Sequence, residues 1–263
     1  MHCGKAQRMK RLFDSRSGNT LIIAADHGGI AGPLPGIGRP GELAATCRRG
    51  GANAILTTRG FFRAAVTQWS GSLALILRIT GGFTTLGGKF EEQVISSVET
   101  ALQYGAACAA VTVKFGHELE SQFIAQASRL ADSCDSWNLP LLIEALPQAE
   151  ESDVKAYGEA VILAARAAAE IGADMVKVRY PGDPELFARC IAGCPVPVVM
   201  LGGPKTANPR ELLGDIHSAL AAGAKGVAVG RNVWQQGNTE KLLEAVRLLV
   251  HEGAGVEEAA KGL

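Results

Sequence analysis

A chain of 263 residues in which 26 basic side chains are cancelled by 26 acidic ones has no net field to collect nucleic acid or an anionic membrane surface. Hydrophobic residues at 47% and charged residues at 20% exclude disorder, and the longest apolar runs, such as 21–25, fall far short of the roughly 20 residues that cross a bilayer. This length suits one large α/β barrel, so a single domain over residues 1–263 is expected.

The first residues carry Lys5, Arg8, Lys10 and Arg11, followed by Asp14-Ser15-Arg16-Ser17-Gly18. No apolar stretch of signal-peptide length accompanies them, and a cytoplasmic location is expected. The six cysteines are scattered, and the only close pair, Cys190 and Cys194, matches no common zinc or redox spacing. They read as reduced thiols that fill the core.

Eight short apolar runs follow in order: 20–25, 53–57, 73–79, 108–114, 140–145, 174–179, 197–201 and 226–229. Between several of them lie alanine-rich segments of helical period without internal proline, at 90–104, 119–137, 154–171 and 210–222. Gly51, Gly105, Gly172 and Gly223 each stand between a helical segment and a strand, where glycine suits a left-handed turn at a helix C-terminus. Eight β-α units in this length predict an α/β fold, a (β/α)8 TIM barrel. A doubly wound open sheet is the rival, and it lacks a dinucleotide-type glycine fingerprint after the first strand.

In such barrels chemistry lies at the C-terminal strand ends, and strand side chains alternate between faces. Ile22, Ala24 and Asp26 share one face, as do Thr112 and Lys114, Leu142 and Glu144, and Met175, Lys177 and Arg179. If these faces point inward, Asp26, Lys114, Glu144 and Lys177 converge on the mouth. Lys177 stands out as a charge in the β-branched run Met175-Val176-Lys177-Val178. Desolvation and a nearby cation, here Arg179 or Lys114, turn a lysine amine into a nucleophile, so a Schiff base with a substrate carbonyl is one reading. A strand-end lysine that reaches solvent or pairs with Glu144 is the other.

Two further runs break into glycine with a cation, Gly202-Gly203-Pro204-Lys205 and Gly230-Arg231. Backbone N–H groups freed by glycine form an anion site, and barrels place one after strands seven and eight. A phosphate is expected there. His27 beside Asp26, with His117 after the fourth strand, admits a carbonyl-polarising metal, but only five histidines exist and a metal-free, cofactor-free site is expected. The glycine-rich stretches 28–38 and 81–88 suit lids or surface loops.

These stretches resemble a known group. Ala25-Asp26-His27-Gly28, Gly172-Ala173-Asp174-Met175-Val176-Lys177-Val178-Arg179-Tyr180, Val199-Met200-Leu201-Gly202-Gly203-Pro204-Lys205-Thr206 and Val227-Ala228-Val229-Gly230-Arg231-Asn232 are similar to motifs of the archaeal-type class I fructose-bisphosphate aldolases. Relatives of that group make aminodideoxyheptulosonate or process phosphorylated autoinducer-2. The resemblance implies a Schiff-base lysine at Lys177, an acid/base or carbinolamine-handling group at Asp26, and a substrate phosphate at Gly202, Gly203, Gly230 and Arg231; the residues themselves add Lys205, Arg179, Lys114 and His27 as further binding candidates. It also implies a phosphorylated sugar substrate, no nucleic-acid or membrane partner, and a ring-based homo-oligomer, up to a decamer.

One departure stands out. In the fructose-bisphosphate members the fifth strand ends in a proton-shuttling tyrosine, and here that place is Leu146 in Ile143-Glu144-Ala145-Leu146-Pro147. Glu144 resembles instead the acid/base glutamate of tagatose-bisphosphate and sulfofructose-phosphate aldolases, and a carboxyl beside lysines is a sensible proton carrier. The expected activity is metal-independent aldol chemistry on a phosphorylated ketose. Transaldol or thiolase-type transfer, and a non-catalytic phosphosugar-binding barrel, are the alternatives.

Overall fold

The computed structural model describes residues 3–203 and 208–263. Among them, eight parallel strands close into a barrel: β1 (Thr20–Ala24), β2 (Ala54–Thr57), β3 (Ala74–Arg78), β4 (Cys108–Phe115), β5 (Leu141–Pro147), β6 (Met175–Arg179), β7 (Val198–Leu201) and β8 (Gly226–Val229), with β8 pairing back onto β1. Each expected run forms its strand, with ends moved by a residue or two. The strands are apolar on both faces because each face is covered, as in other parallel sheets.

Side chains of one parity, including Ile22, Leu56, Ile76, Leu142, Met175 and Val199, fill the barrel lumen. Those of the other parity, such as Leu21, Ile55, Val111, Ile143 and Val178, meet the surrounding helices through residues such as Phe123, Val161, Phe187, Ile216 and Leu243. Cys47, Cys108, Cys134, Cys190 and Cys194 are buried and all six cysteines are free. Burial pushes the Cys47, Cys134 and Cys190 thiols up to about 12.

Local chemistry sets the helix ends. Asp153 accepts from the Ala156 N–H (3.0 Å) to open the helix Val154–Ile171, and Gly172 closes it at φ 117°. Gly51, Gly105 and Gly223 likewise have positive φ. Asp183 and Pro184 open Pro184–Gly193, and Asn208 and Pro209 open Pro209–Ala221.

Two features depart from the sequence reading. The helix expected over 90–104 is confined to Val98–Gln103, and Gln93–Val94 instead pairs antiparallel with Thr80–Gly81. The β-branched Val94-Ile95 followed by two serines disfavours an earlier start, and Ser97 caps the helix by accepting from the Thr100 N–H (3.1 Å). The basic N-terminal segment, which no expected element covers, folds onto the barrel. Its helix Cys3–Met9 sets Lys5 between Asp135 (2.5 Å) and Asp174 (2.7 Å), and Met9 and Leu12 join the luminal cluster at the N-terminal end of the barrel. No described helix is long and apolar enough to cross a membrane.

Candidate active site

Parallel register puts Thr112, Glu144 and Lys177 side by side on β4, β5 and β6, all of luminal parity. Below them the lumen is filled with aliphatic side chains, so this layer is the floor of the open mouth. Lys177 is 5% exposed, and its Nζ lies 2.5 Å from Glu144 Oε1. The other Glu144 oxygen accepts from Thr112 Oγ1 at 2.9 Å. Glu144 is therefore clamped from both neighbouring strands. Burial acts to raise its pKa, but Lys177 and Arg78 outweigh this and hold the carboxyl below its usual range.

Asp26, just past the end of β1, is 5% exposed and faces Arg78 from the end of β3, with Nη1 to Oδ2 at 2.7 Å. Burial again opposes ionisation. The Arg78 guanidinium, helped by His27 and Lys177, overcomes it and holds Asp26 far below the usual carboxylate range. The second arm of Arg78 donates to Glu92, which is 1% exposed, and its Nε donates to the Thr80 carbonyl (3.0 Å). Arg78 thus joins β1, β3 and the segment between β3 and β4. Burial raises Glu92 despite Arg78, and its second carboxylate oxygen, Oε2, has no hydrogen-bond partner.

Asp26, His27, Glu144, Lys177, Arg179, Gly202, Gly203, Gly230 and Arg231 all line one cavity of about 400 Å³. His27 Nδ1 lies 3.3 Å from Asp26 Oδ1, and its ring meets Trp234 edge-on at 5.5 Å. At the β7–β8 end, Gly203 has φ 64°, and a Cβ on Gly230 would lie 2.8 Å from the Ala24 carbonyl oxygen, so the backbone itself walls the cavity there. Asn232 Nδ2 donates to the Gly202 carbonyl at 2.6 Å and ties the two glycine loops together. Arg231 Nε is buried without a hydrogen-bond partner. Glycine backbone, a cation and a buried donor in one corner suit an anion.

Several expectations are redrawn by this geometry. Lys114 shares luminal parity but is absent from the cavity wall: its Nζ sits 4.8 Å over the Phe90 ring. Arg179 lines the cavity, yet its guanidinium is engaged by Glu151 (2.5 Å) and borders Gly203, so the charges acting on Glu144 and Asp26 come from Arg78 and Lys177. Lys205 lies outside the described residues. His117 packs against Phe90 and Phe123, and its Nδ1 accepts from the Leu119 N–H (3.1 Å).

Arg78, Glu92 and Thr112 were not among the expected site residues. Arg78 was within reach of the same period-two rule, since Ala74, Ile76 and Arg78 alternate on the luminal face of β3. Glu92 carried no such signal, because it stands outside the barrel strands.

Comparisons with known proteins agree with this architecture. The DeoC/LacD family aldolase model matches residues 20–236. The class 1 fructose-bisphosphate aldolase of Thermoproteus tenax is 34% identical over 259 residues, 96% of this chain and 97% of that protein. The 2-amino-4,5-dihydroxy-6-oxo-7-(phosphonooxy)heptanoate synthase of Streptomyces griseus is 31% identical over 98% of this chain and 93% of its own length. An archaeal fructose-1,6-bisphosphate aldolase superposes with a TM-score of 0.85 at 32% identity, over 95% of this chain and all of that one. A similar match (TM-score 0.84, 32% identity, 94% and 99% coverage) is an archaeal fructose-1,6-bisphosphate aldolase with its catalytic lysine covalently bound to the carbinolamine intermediate of the substrate. With its barrel, buried lysine and extended sequence match, the chain belongs to the DeoC/LacD family of aldolases and is a class I, Schiff-base carbon–carbon lyase.

Proposed function

We propose that Lys177 forms the Schiff base, that Glu144 moves the protons, and that the substrate is a phosphorylated ketose held by its phosphate at Gly202, Gly203, Gly230 and Arg231. The observation that carries this reading is the 2.5 Å contact between buried Lys177 and Glu144 at the floor of a cavity whose β7–β8 corner suits an anion. In the resting site the two groups form an ion pair. When a ketone binds, Glu144 accepts the ammonium proton along this contact, and the freed amine adds to the carbonyl carbon to give a carbinolamine. Glu144 then protonates the carbinolamine hydroxyl, water leaves, and the iminium forms.

Glu144, again a carboxylate, next removes the proton of the hydroxyl borne by the far carbon of the breaking bond, the carbon beta to the iminium. That hydroxyl carbon becomes the aldehyde, and the bonding electron pair enters the iminium to give an enamine. Proton return from Glu144 to the enamine carbon and hydrolysis release the ketone and restore Lys177. Asp26 does not shuttle protons in this scheme. Arg78 holds it ionised, and its fixed negative charge opposes the positive charge of the iminium.

Leu146 in the cavity wall favours a second reading, transaldol or acyl transfer from the same Schiff base. Mass spectrometry of products separates the two, since an acylated acceptor excludes simple cleavage. A ring-based homo-oligomer working in the cytoplasm belongs to the same reading; the oligomer rests on the family resemblance alone, and the location on the N-terminal sequence and the scattered cysteines. The direct assay is aldehyde release from a panel of ketose monophosphates and bisphosphates. Release by the native protein and none by Lys177→Met is expected; turnover by the variant would contradict the proposal.

A further inference from the structure

The two ends of the cavity differ in chemistry. The β7–β8 end carries Gly203, Gly230 and Arg231, with Arg179 bordering Gly203 and His27 bordering Gly230. Every cavity-lining cation other than Lys177 and Arg78 therefore sits at that end, among the described residues. Strand order 1-8-7-6-5-4-3-2 places β3 to β5 across the mouth from it. The wall on that side is made by Phe83 and Phe90 from the β3–β4 segment and by Leu146 and Pro147 from the end of β5.

Among the described residues Arg78 is the one cation of this far wall, and each of its three nitrogens is already engaged. It is 8% exposed, with one arm on Asp26, the other on Glu92 and its Nε on the Thr80 carbonyl. A phosphate here would compete with two buried carboxylates, Asp26 and Glu92, for the guanidinium, and breaking either pair is costly. Lys114 is the register neighbour of Leu146, but its ammonium rests on Phe90 outside the cavity wall.

We infer that the aldehyde half of the substrate, the half that leaves past Leu146 and Phe90, carries no phosphate, so the substrate class is a ketose phosphorylated only at the ketone end. This inference rests on the Schiff-base reading above, with the phosphate anchored at Gly203, Gly230 and Arg231. Anchored there, the ketone carbon meets Lys177 and the remaining chain runs toward the apolar wall. A charged group would lose its hydration there without gaining a partner. Leu146 is then a specificity-determining residue.

The test holds the ketone half constant and varies only the charge of the aldehyde. Dihydroxyacetone phosphate is combined with D-glyceraldehyde or with D-glyceraldehyde 3-phosphate, and kcat/KM for the aldehyde is compared. The unphosphorylated aldehyde is expected to win by about tenfold or more, since a site without a partner for a charge rejects it. Leu146→Lys, at a half-buried rim position, should narrow or reverse the ratio, whereas Lys114→Ala should leave it unchanged.

A native preference for the phosphorylated aldehyde, or a phosphate preference that disappears in Lys114→Ala, would overturn the inference. Solvent deuterium uptake into dihydroxyacetone phosphate alone, followed by NMR, reports enamine formation without any aldehyde. Uptake with the opposite aldehyde preference would sink this inference and leave the Schiff-base proposal standing. No uptake would overturn both.

Discussion

Lys177 and Glu144 occupy paired positions on β6 and β5, and the ammonium lies within 2.5 Å of the carboxylate. Thr112, the partner of Glu144 on β4, fixes its other oxygen. Glu144→Gln keeps the volume and an oxygen to accept from Thr112, but it cannot carry a proton. A fall in kcat of about 10²- to 10⁴-fold, with KM little changed, is expected from steady-state kinetics. A fall in affinity with normal kcat would mean that Glu144 positions substrate only.

The Arg78 bridge is a structural commitment as well as an electrostatic one. Arg78→Met would leave Asp26 and Glu92 buried without their shared cation. Breaking a buried pair in this way costs about 3–5 kcal/mol. Calorimetry should show a marked drop in Tm, and adding Glu92→Leu to Arg78→Met should restore part of it. A variant as stable as the native protein would show that the bridge contributes nothing net.

Acid should unfold the protein through the same carboxylates. Asp26 and Glu144 are both held below their ordinary values in the folded state. Depressed carboxyls stabilise the fold above their unfolded pKa values, about 3.9 and 4.3, and that contribution is lost as pH falls toward the folded values. Glu92 is shifted upward, so its own contribution has the opposite sign and weakens the fold as pH rises. Denaturant midpoints measured from pH 7 down to pH 3 should stay nearly level to about pH 5 and then fall. A midpoint that climbed on acidification would show that Glu92, not Asp26, dominates.

At the anion corner, Arg231→Met and Gly230→Ala should act on binding. The first removes a charge whose Nε has no partner within the protein, and the second pushes a methyl against the Ala24 carbonyl. Loss of one charge-assisted contact costs about 1.5–3 kcal/mol, and KM for a phosphorylated substrate should rise about tenfold or more with kcat largely kept. KM for an unphosphorylated analogue should hardly move in Arg231→Met. Equal losses for both substrates would remove the phosphate from this corner.

Much of this site is visible in the chain before folding. The eight apolar runs are strands because each can bury both faces, and period-two alternation alone puts Asp26, Glu144 and Lys177 at one mouth. The same alternation applied to β3 reaches Arg78. What sequence cannot supply is the pairing. Nothing local distinguishes a Lys177 that faces Glu144 from one that faces Lys114, because that depends on where Phe90 packs and which carboxylate meets Arg78. Glu92 is hidden for the same reason: it acts through a long-range contact in a segment whose composition reads as helix. The N-terminal helix escaped notice because its role lies in one buried lysine, Lys5, bridging two aspartates far along the chain.

The central claim is that Lys177 is the nucleophile, and borohydride reduction during turnover of a ketose phosphate tests it most directly. Peptide mass mapping should place the reduced substrate adduct on Lys177 and on no other lysine, and the adduct should be absent from Lys177→Met. Activity with an unmodified Lys177, or an adduct carried by Lys114 instead, would contradict the account.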